Sequence, residues 1–580
     1  MNRLGISFLL TLIASGIGAA QINEQESIGT QEVLVVKSYT PSLSDAFKIK
    51  SVPRLSDTLT SLDKELVYQL KPVPVISTFE PNKASPLTLL QRKSSTPYNT
   101  FFSGGFGNLS QLYLNVSSVI ELDRTQRFGV NFYRDGFGRD LPNTLLQSTQ
   151  NYTRLGLHHN LRSSYYNANT QLQYETNSNN YFGLYNTDWD PLIINSVNPE
   201  IKRNFFKIRT HWNWYDEVLR GITFQANLTS DNFNSTEQQL GLRTDFEVDL
   251  GGGKLKSKLH LQGFQTNFET SYFDKTLEEY TQGKGALDLY WQHSKNDLKL
   301  KLGAGVAYLL GDENLNSSLL YYPQLELYYQ KTGTILSPYL IAAGGVRLNT
   351  YQSLVNRNPY LAPTTLLTPT FNRYNASLGI RSQLASVLNF DLGFIYDQVE
   401  NFSFFERLPF DSANENQSYR LSNAFTARYI DTDLYGFKAS IRIDLAKANF
   451  VRFETRYRFF ETSGNQELWN IPALEMNWES QFQLEDRFVF SLSGNLWGDR
   501  KAAFRPIFID QDLNTVQTLS ENIPLFISTT AHLSYKLSNQ FDAFVKVKLN
   551  TQELHGRWAY FPEPPLLFLG GITYKFDFQY

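Results

Sequence analysis

From Tyr98 to the last residue, apolar and polar positions alternate along the chain with little interruption. Leu298, Leu300, Leu302, Ala304, Val306 and Tyr308 fall on one face, against Lys299, Lys301, Gly303, Gly305 and Ala307 on the other. Val451, Phe453, Thr455, Tyr457 and Phe459 oppose Arg452, Glu454, Arg456 and Arg458. Phe541, Ala543, Val545, Val547 and Leu549 oppose Asp542, Lys546 and Lys548, with Phe544 out of phase. A period of two describes a β-strand with one apolar and one wet face. Many runs reach about 12 residues, the span of a tilted membrane strand and longer than a typical sandwich strand.

The connections fall into two kinds. Short turns are predicted at Asp216–Leu219, Gly251–Gly253, Ser294–Asp297, Gln330–Gly333, Ala446–Asn449, Glu485–Asp486 and Ser538–Gln540. Long polar loops are predicted near 177–202, 349–371, 402–417, 500–524 and 552–565. Alternation of tight turns with long loops is the habit of outer-membrane barrels, whose turns face the periplasm. The expected fold is therefore an all-β transmembrane antiparallel barrel over 99–580, with about 22 strands in a range of 18–24. Its closing strand is the terminal run Ile572, Tyr574, Phe576, Phe578 and Tyr580, with Thr573, Lys575, Asp577 and Gln579 between. An aromatic ending of this kind resembles the signal strand read by the barrel-insertion machinery.

Composition fits that picture. Aromatics make up 14% of the 580 residues and mean hydropathy is −0.34. A barrel is polar on average because every second residue faces its lumen. The net charge of −3 gives no reason to expect nucleic acid as a partner. The absence of cysteine excludes disulfides, thiolate metal sites and cysteine nucleophiles. Residues 1–20 read as a signal peptide, with Arg3, an apolar run from Ile6 to Ala14, and Gly18-Ala19-Ala20 before a cut at Gln21. Residues 21–98 hold Pro53, Pro72, Pro74, Pro81, Pro86 and Pro97 and read as an extended periplasmic or lumenal arm.

The strand count and Leu434-Tyr435-Gly436-Phe437-Lys438 resemble TonB-dependent receptors, whose late barrel strand carries a Tyr/Arg-Gly-x-Glu element. Here the glycine is kept and Lys438 stands in the place of the glutamate. The run Glu32, Val33, Leu34, Val35 and Val36 is similar to the short box by which such receptors engage the energy-coupling protein. The resemblance implies solute transport across the outer membrane. Lys37 to Pro97 is too short for that family's globular plug, so the expected chain is a receptor-like barrel lacking a full plug, with 37–97 a candidate occupant of the lumen.

Few residues announce chemistry. The histidines His158, His159, His211, His260, His293, His532 and His555 show no metal-ligand spacing, and Gly251-Gly252-Gly253 lacks the strand–helix context of a phosphate loop. No catalytic group, metal site or cofactor is expected. The one candidate cluster is Lys438, Arg442, Asp444, Arg452, Glu454, Arg456 and Arg458 on the polar faces of neighbouring strands. It reads either as a cross-strand ladder of ion pairs or as a selectivity surface. Expected partners are outer-membrane lipid, the insertion machinery and a periplasmic or outer-membrane protein. Two functions follow: solute transport, or an interaction subunit of an envelope complex whose amino-terminal arm holds a periplasmic partner.

Overall fold

The computed structural model describes residues 98–578, apart from short segments at 186–188, 216, 271–278, 312–314, 332, 385–386, 411–417, 447, 505–518 and 552–553. The signal peptide, the run Glu32–Val36, the proline-rich segment and Tyr580 lie outside the described residues.

Twenty-two antiparallel strands pair in one closed ring, as the alternation predicts. Closure is the decisive feature, because lipid offers no hydrogen bonds to an open strand edge. The first strand, Thr100–Gly107, pairs with the last, Leu566–Phe576, from Thr100 opposite Phe576 to Gly107 opposite Leu569. Two asparagines extend this seam beyond its regular ladder. At one end the Asn99 side chain donates to the Phe578 carbonyl (2.9 Å) and accepts from the Phe578 amide (2.7 Å). At the other, Asn108 donates to the Leu566 carbonyl (2.8 Å) and accepts from the Phe568 amide (2.9 Å). Each carboxamide thus acts as an extra peptide group, so the terminal run is held through Phe578 although the strand itself stops at Phe576.

The out-of-phase Phe544 has a structural reason. It faces the lumen opposite Gly571, which pairs with Gly105, which in turn pairs with Tyr113. A Cβ on Gly571 would stand 2.5 Å from the Phe544 ring, so only glycine leaves room there. The rings of Phe544 and Tyr113 meet edge-on at 5.8 Å across that trough. Side chains on the alternate positions face outward, and Leu302, Leu378, Phe437, Val545 and Ile572 are exposed as a lipid-facing surface requires.

Short turns gather at the rim that also holds Asn99 and Phe578. They include the two-residue connections 251–252 and 296–297, where Gly251, Gly252 and Asn296 take positive φ as tight hairpins require. The glycine triplet is therefore a turn. Long loops gather at the opposite rim, at 181–199, 348–369, 408–424, 498–525 and 551–565.

Three expectations are corrected. The strand Leu388–Arg407 runs on through the first part, 402–407, of the stretch read as a loop from 402 to 417. A bulge between Val399 and Phe402, with Asn401 at φ 55°, breaks the alternation and imitates a strand end. The 498–525 loop carries its own hairpin, Arg500–Phe504 with Leu519–Ile523. The strict alternation of short and long fails at 108–111 and 232–235, which are tight although they lie on the long-loop rim.

Facing predicts the response to charge. Leu302→Arg or Val545→Arg is expected to destabilise the folded barrel by about 2–4 kcal/mol where the site lies near the bilayer midplane. Lys546→Gln, one residue away on the lumenal face, is expected to cost less than about 1 kcal/mol. A urea titration of barrel folding in lipid vesicles measures both.

Candidate functional site: the loop-bridged mouth

The long loops carry aromatic and aliphatic side chains that gather into one buried cluster at the long-loop rim. Tyr181 and Phe182 come from the 181–199 loop, and Tyr351, Leu354, Tyr360 and Leu361 from 348–369. Tyr419 and Leu421 come from 408–424, and Trp558 and Phe561 from 551–565. Ring contacts tie the loops together: Phe561 stacks on Tyr360 at 3.7 Å and meets Phe182 edge-on at 5.1 Å. Trp558 packs against Phe405 at 5.4 Å and Phe425 at 5.3 Å. The strand pairs that flank these loops, Tyr166–Asn180 with Glu200–Trp214, Leu336–Arg347 with Thr370–Leu384, Leu388–Arg407 with Phe425–Ala446, and Phe541–Asn550 with Leu566–Phe576, are spread around the ring, so these contacts bridge the mouth. The loops were expected to be polar. Their composition is, yet Tyr181-Phe182, Tyr360-Leu361 and the Trp558–Phe561 stretch were the available signal that they pack.

Among the described residues, two short α-helices lie in the loops, α1 (Pro191–Ser196) and α2 (Tyr351–Arg357). The start of α2 is fixed by the barrel wall. Glu237, 1% exposed, accepts from the Tyr351 amide (2.5 Å) and the Gln352 amide (2.9 Å), the free N–H groups of a first helical turn. Its carboxylate is completed by Thr266 (2.8 Å) and Gln239 (2.6 Å). A negative group at this end also meets the positive pole of the helix. Beside it the buried Arg203 donates to the carbonyls of Pro359 (2.5 Å) and Leu361 (2.7 Å). The Tyr351 hydroxyl donates to Asp231 at 2.7 Å. Burial raises the Tyr351 phenol well above its ordinary value, so it remains a donor at any physiological pH.

At the far end of α2, Arg357 donates to the Ser403 hydroxyl (2.6 Å) and carbonyl (2.9 Å) and lies over the Phe405 ring. Burial, reinforced by the nearby Arg347 and Arg557, lowers its pKa to about 10, still charged at neutral pH. The loop is thus strapped to the wall on two sides. Glu237→Leu is expected to leave two helix N–H groups and a hydroxyl buried without partners, at about 3 kcal/mol in total. The expected outcome is trypsin cleavage after Arg357 in a chain that otherwise stays folded, where the unaltered chain resists.

The loop 551–565 depends on a neutral imidazole. His555 Nδ1 accepts from the Tyr560 amide at 3.1 Å, and Tyr560 takes φ 60°, an uncommon choice for an aromatic residue. Burial lowers the His555 pKa below its ordinary 6.5, with Arg500 and Arg407 adding to the effect and Glu521 opposing it. A folded pKa below the unfolded one means that the contribution is complete above about pH 6.5 and declines as pH falls beneath it. Hydrogen-exchange protection in 551–565, taken relative to the intrinsic exchange rate at each pH, is expected to fall on acidification from about pH 7.5 to about pH 5, and His555→Gln to abolish that dependence.

The charged cluster singled out from sequence sits elsewhere, on the lumenal wall of Phe425–Ala446 and Asn449–Thr462. Arg442 pairs with Asp444 (2.9 Å) and Arg452 with Glu454 (2.5 Å), each within its own strand, while Arg458 reaches across to Glu475 (2.6 Å). Lys438 lies over the Tyr339 ring at 5.3 Å. The seven share one wall and do not touch the mouth cluster. Gly436, from the resembling element, lies at the edge of the cluster, two residues before Lys438 and opposite Arg458. Among the described residues, no group of histidine and carboxylate side chains could hold a metal ion.

No known family profile matches the chain, and no curated protein matches it in sequence. Solved structures do match in fold. The FrpB iron transporter from Neisseria meningitidis (F3-3 variant) superposes with a TM-score of 0.58 at 9% identity, over 83% of this chain and 82% of that one. The siderophore receptor PirA from Acinetobacter baumannii gives 0.56 at 11% identity, over 82% and 80%. The pyoverdine outer membrane receptor FpvA from Pseudomonas aeruginosa PAO1, bound to pyoverdine, gives 0.57 at 11% identity, over 84% and 79%. These neighbours are transporter and receptor barrels. The protein is therefore a 22-strand β-barrel of the cell outer membrane, with the architecture of the siderophore-receptor barrels.

Proposed function

We propose that this barrel carries a solute across the outer membrane, in the manner of a TonB-dependent receptor, through a mouth controlled by its own loops. The observation that supports this reading is the bridge itself. A ring of 22 strands encloses a lumen too wide for wall side chains to fill. A purely structural barrel has no need of a stopper built from several loops, whereas a conduit must be shut against free leakage. The short helix α2, held by Glu237 at one end and Arg357 at the other, is the part whose release would open the mouth. The likeness to iron and siderophore transporters supports transport, and coupling to the periplasmic energy source through Glu32–Val36 is the matching proposal for its drive. The insertion machinery and outer-membrane lipid are the partners this reading requires.

The test is permeability. Replacing Tyr351–Thr365 by a short Gly-Ser linker is expected to give a folded, heat-modifiable barrel with larger conductance in planar bilayers and faster entry of bulky antibiotics. Unchanged permeability would remove the loop as a barrier and with it this reading. The same measurement on a chain lacking 37–90 tests whether the amino-terminal segment adds a second barrier.

A further inference from the structure

The lumenal wall near the short-turn rim contains an arrangement that sheet stability alone does not favour. Arg442 stands directly opposite Arg452 across neighbouring strands, and Lys438 opposite Arg456. Like charges facing each other across strands are unfavourable, so a wall selected only for strength would alternate their signs. Asp444 and Glu454 each serve the arginine two residues away on their own strand, and Glu479 and Glu475 face Arg452 and Arg456 from the next strand only, so Arg442 and Lys438 still meet a cation across the first pairing.

A cavity of about 420–640 Å³ is the scale of the lumenal recesses here, and the one beside Arg442 measures about 640 Å³. Its charged lining consists of Lys299, Arg381, Arg442 and Arg452 against one carboxylate, Asp391. Asp391 is already engaged twice, by Arg381 (2.7 Å) and by the Tyr339 hydroxyl (2.5 Å). Ser440 adds a hydroxyl to the same recess. The side chains of Arg381, Arg442 and Arg452 are about half exposed, at 45%, 42% and 45%, so they are open to a guest.

We infer that this recess is a binding site for a multivalent oxyanion, a solute carrying two or more phosphate or carboxylate groups. Guanidinium groups hold such oxygens through paired, charge-assisted hydrogen bonds, and a bridging anion turns the facing arginines from a cost into a clamp. A monovalent halide would gain little from the spacing. Resting on the transport reading, the inference names the chemistry of what the lumen holds on its way through. It also accounts for cations massed on the wall below a mouth that is closed mainly by aromatic contacts.

The experiment uses the mature chain folded in detergent at low ionic strength, with inorganic pyrophosphate and citrate as probes and calorimetric titration as the readout. Both probes are expected to bind, and the stronger of the two tells whether phosphate or carboxylate is the better fit. Arg442→Gln with Arg452→Gln is expected to weaken binding by about tenfold or more, as loss of charge-assisted contacts does. The double variant is also expected to melt no lower than the unaltered chain without anion, because it removes the facing like charges. A purely structural ladder predicts the reverse, since both in-strand ion pairs are lost. Should the double variant not fold, Arg452→Gln alone gives the same comparison. Three results would overturn the inference: no binding of either probe, binding unchanged in the variants, or an equal effect from sodium chloride at matched ionic strength. Permeability of the loop-replaced barrel to neutral sugars is measured in parallel by liposome swelling. If that permeability persists while anion binding fails, the site falls and the transport reading stands.

Discussion

Every strand of the barrel wall must have a hydrogen-bonded neighbour on both sides, and that single constraint organises the rest. In lipid an unpaired backbone edge costs several kcal/mol per group, so a sheet there is either closed or absent. The seam between Thr100–Gly107 and Leu566–Phe576 is therefore where the chain's two halves become one object. Nature has reinforced it locally. Asn99 and Asn108 lengthen a seam whose first strand is only 8 residues long, and the glycine trough lets Phe544 and Tyr113 lock across it. A short strand flanked by peptide-like side chains keeps the edge satisfied where the ladder itself runs out.

Closure creates a second problem, which the loops solve. Once the ring is complete, its interior is a wide polar channel whose wall cannot collapse on itself. The long loops fold across one end and form the largest apolar core of the described residues. Away from water, their backbone groups need partners, and the wall supplies them from charged residues that would be costly to bury alone. Glu237, Arg203 and Asp231 are each satisfied several times over by loop amides, carbonyls and hydroxyls. The result is a loop bridge specified by hydrogen bonds and held in register. Where apolar packing alone would give a stopper without fixed orientation, these contacts define one seat for α2.

The barrel was legible because its rule is local. A period of two is visible in any ten residues, and lipid on one side and water on the other enforce it on nearly every strand. Hence the strand type, the near count, the facing of Leu302 against Lys301 and the tight turn at Gly251-Gly252 followed from the chain alone. Errors arose where a local feature imitated a boundary, as at Asn401, whose left-handed bulge interrupts a strand that continues to Arg407. They also arose where two faces are buried together, since Phe404 and Phe405 are both nearly inaccessible and leave no alternation to follow.

What the sequence determined by itself was the wall: its strands, its inner and outer faces, and the rim on which long connections lie. Tertiary structure alone decided the mouth. Tyr360 and Phe561 are two hundred residues apart, and nothing in either neighbourhood signals that their rings will stack at 3.7 Å. Likewise Glu237 looks like any lumenal carboxylate until α2 arrives from a loop more than a hundred residues later. The charged wall lies between these cases: its residues were found from sequence, but register set Arg442 opposite Arg452. The physical reason is common to all three. Periodicity records what a residue's own strand faces, while contacts between distant segments depend on closure, which no short stretch of chain encodes.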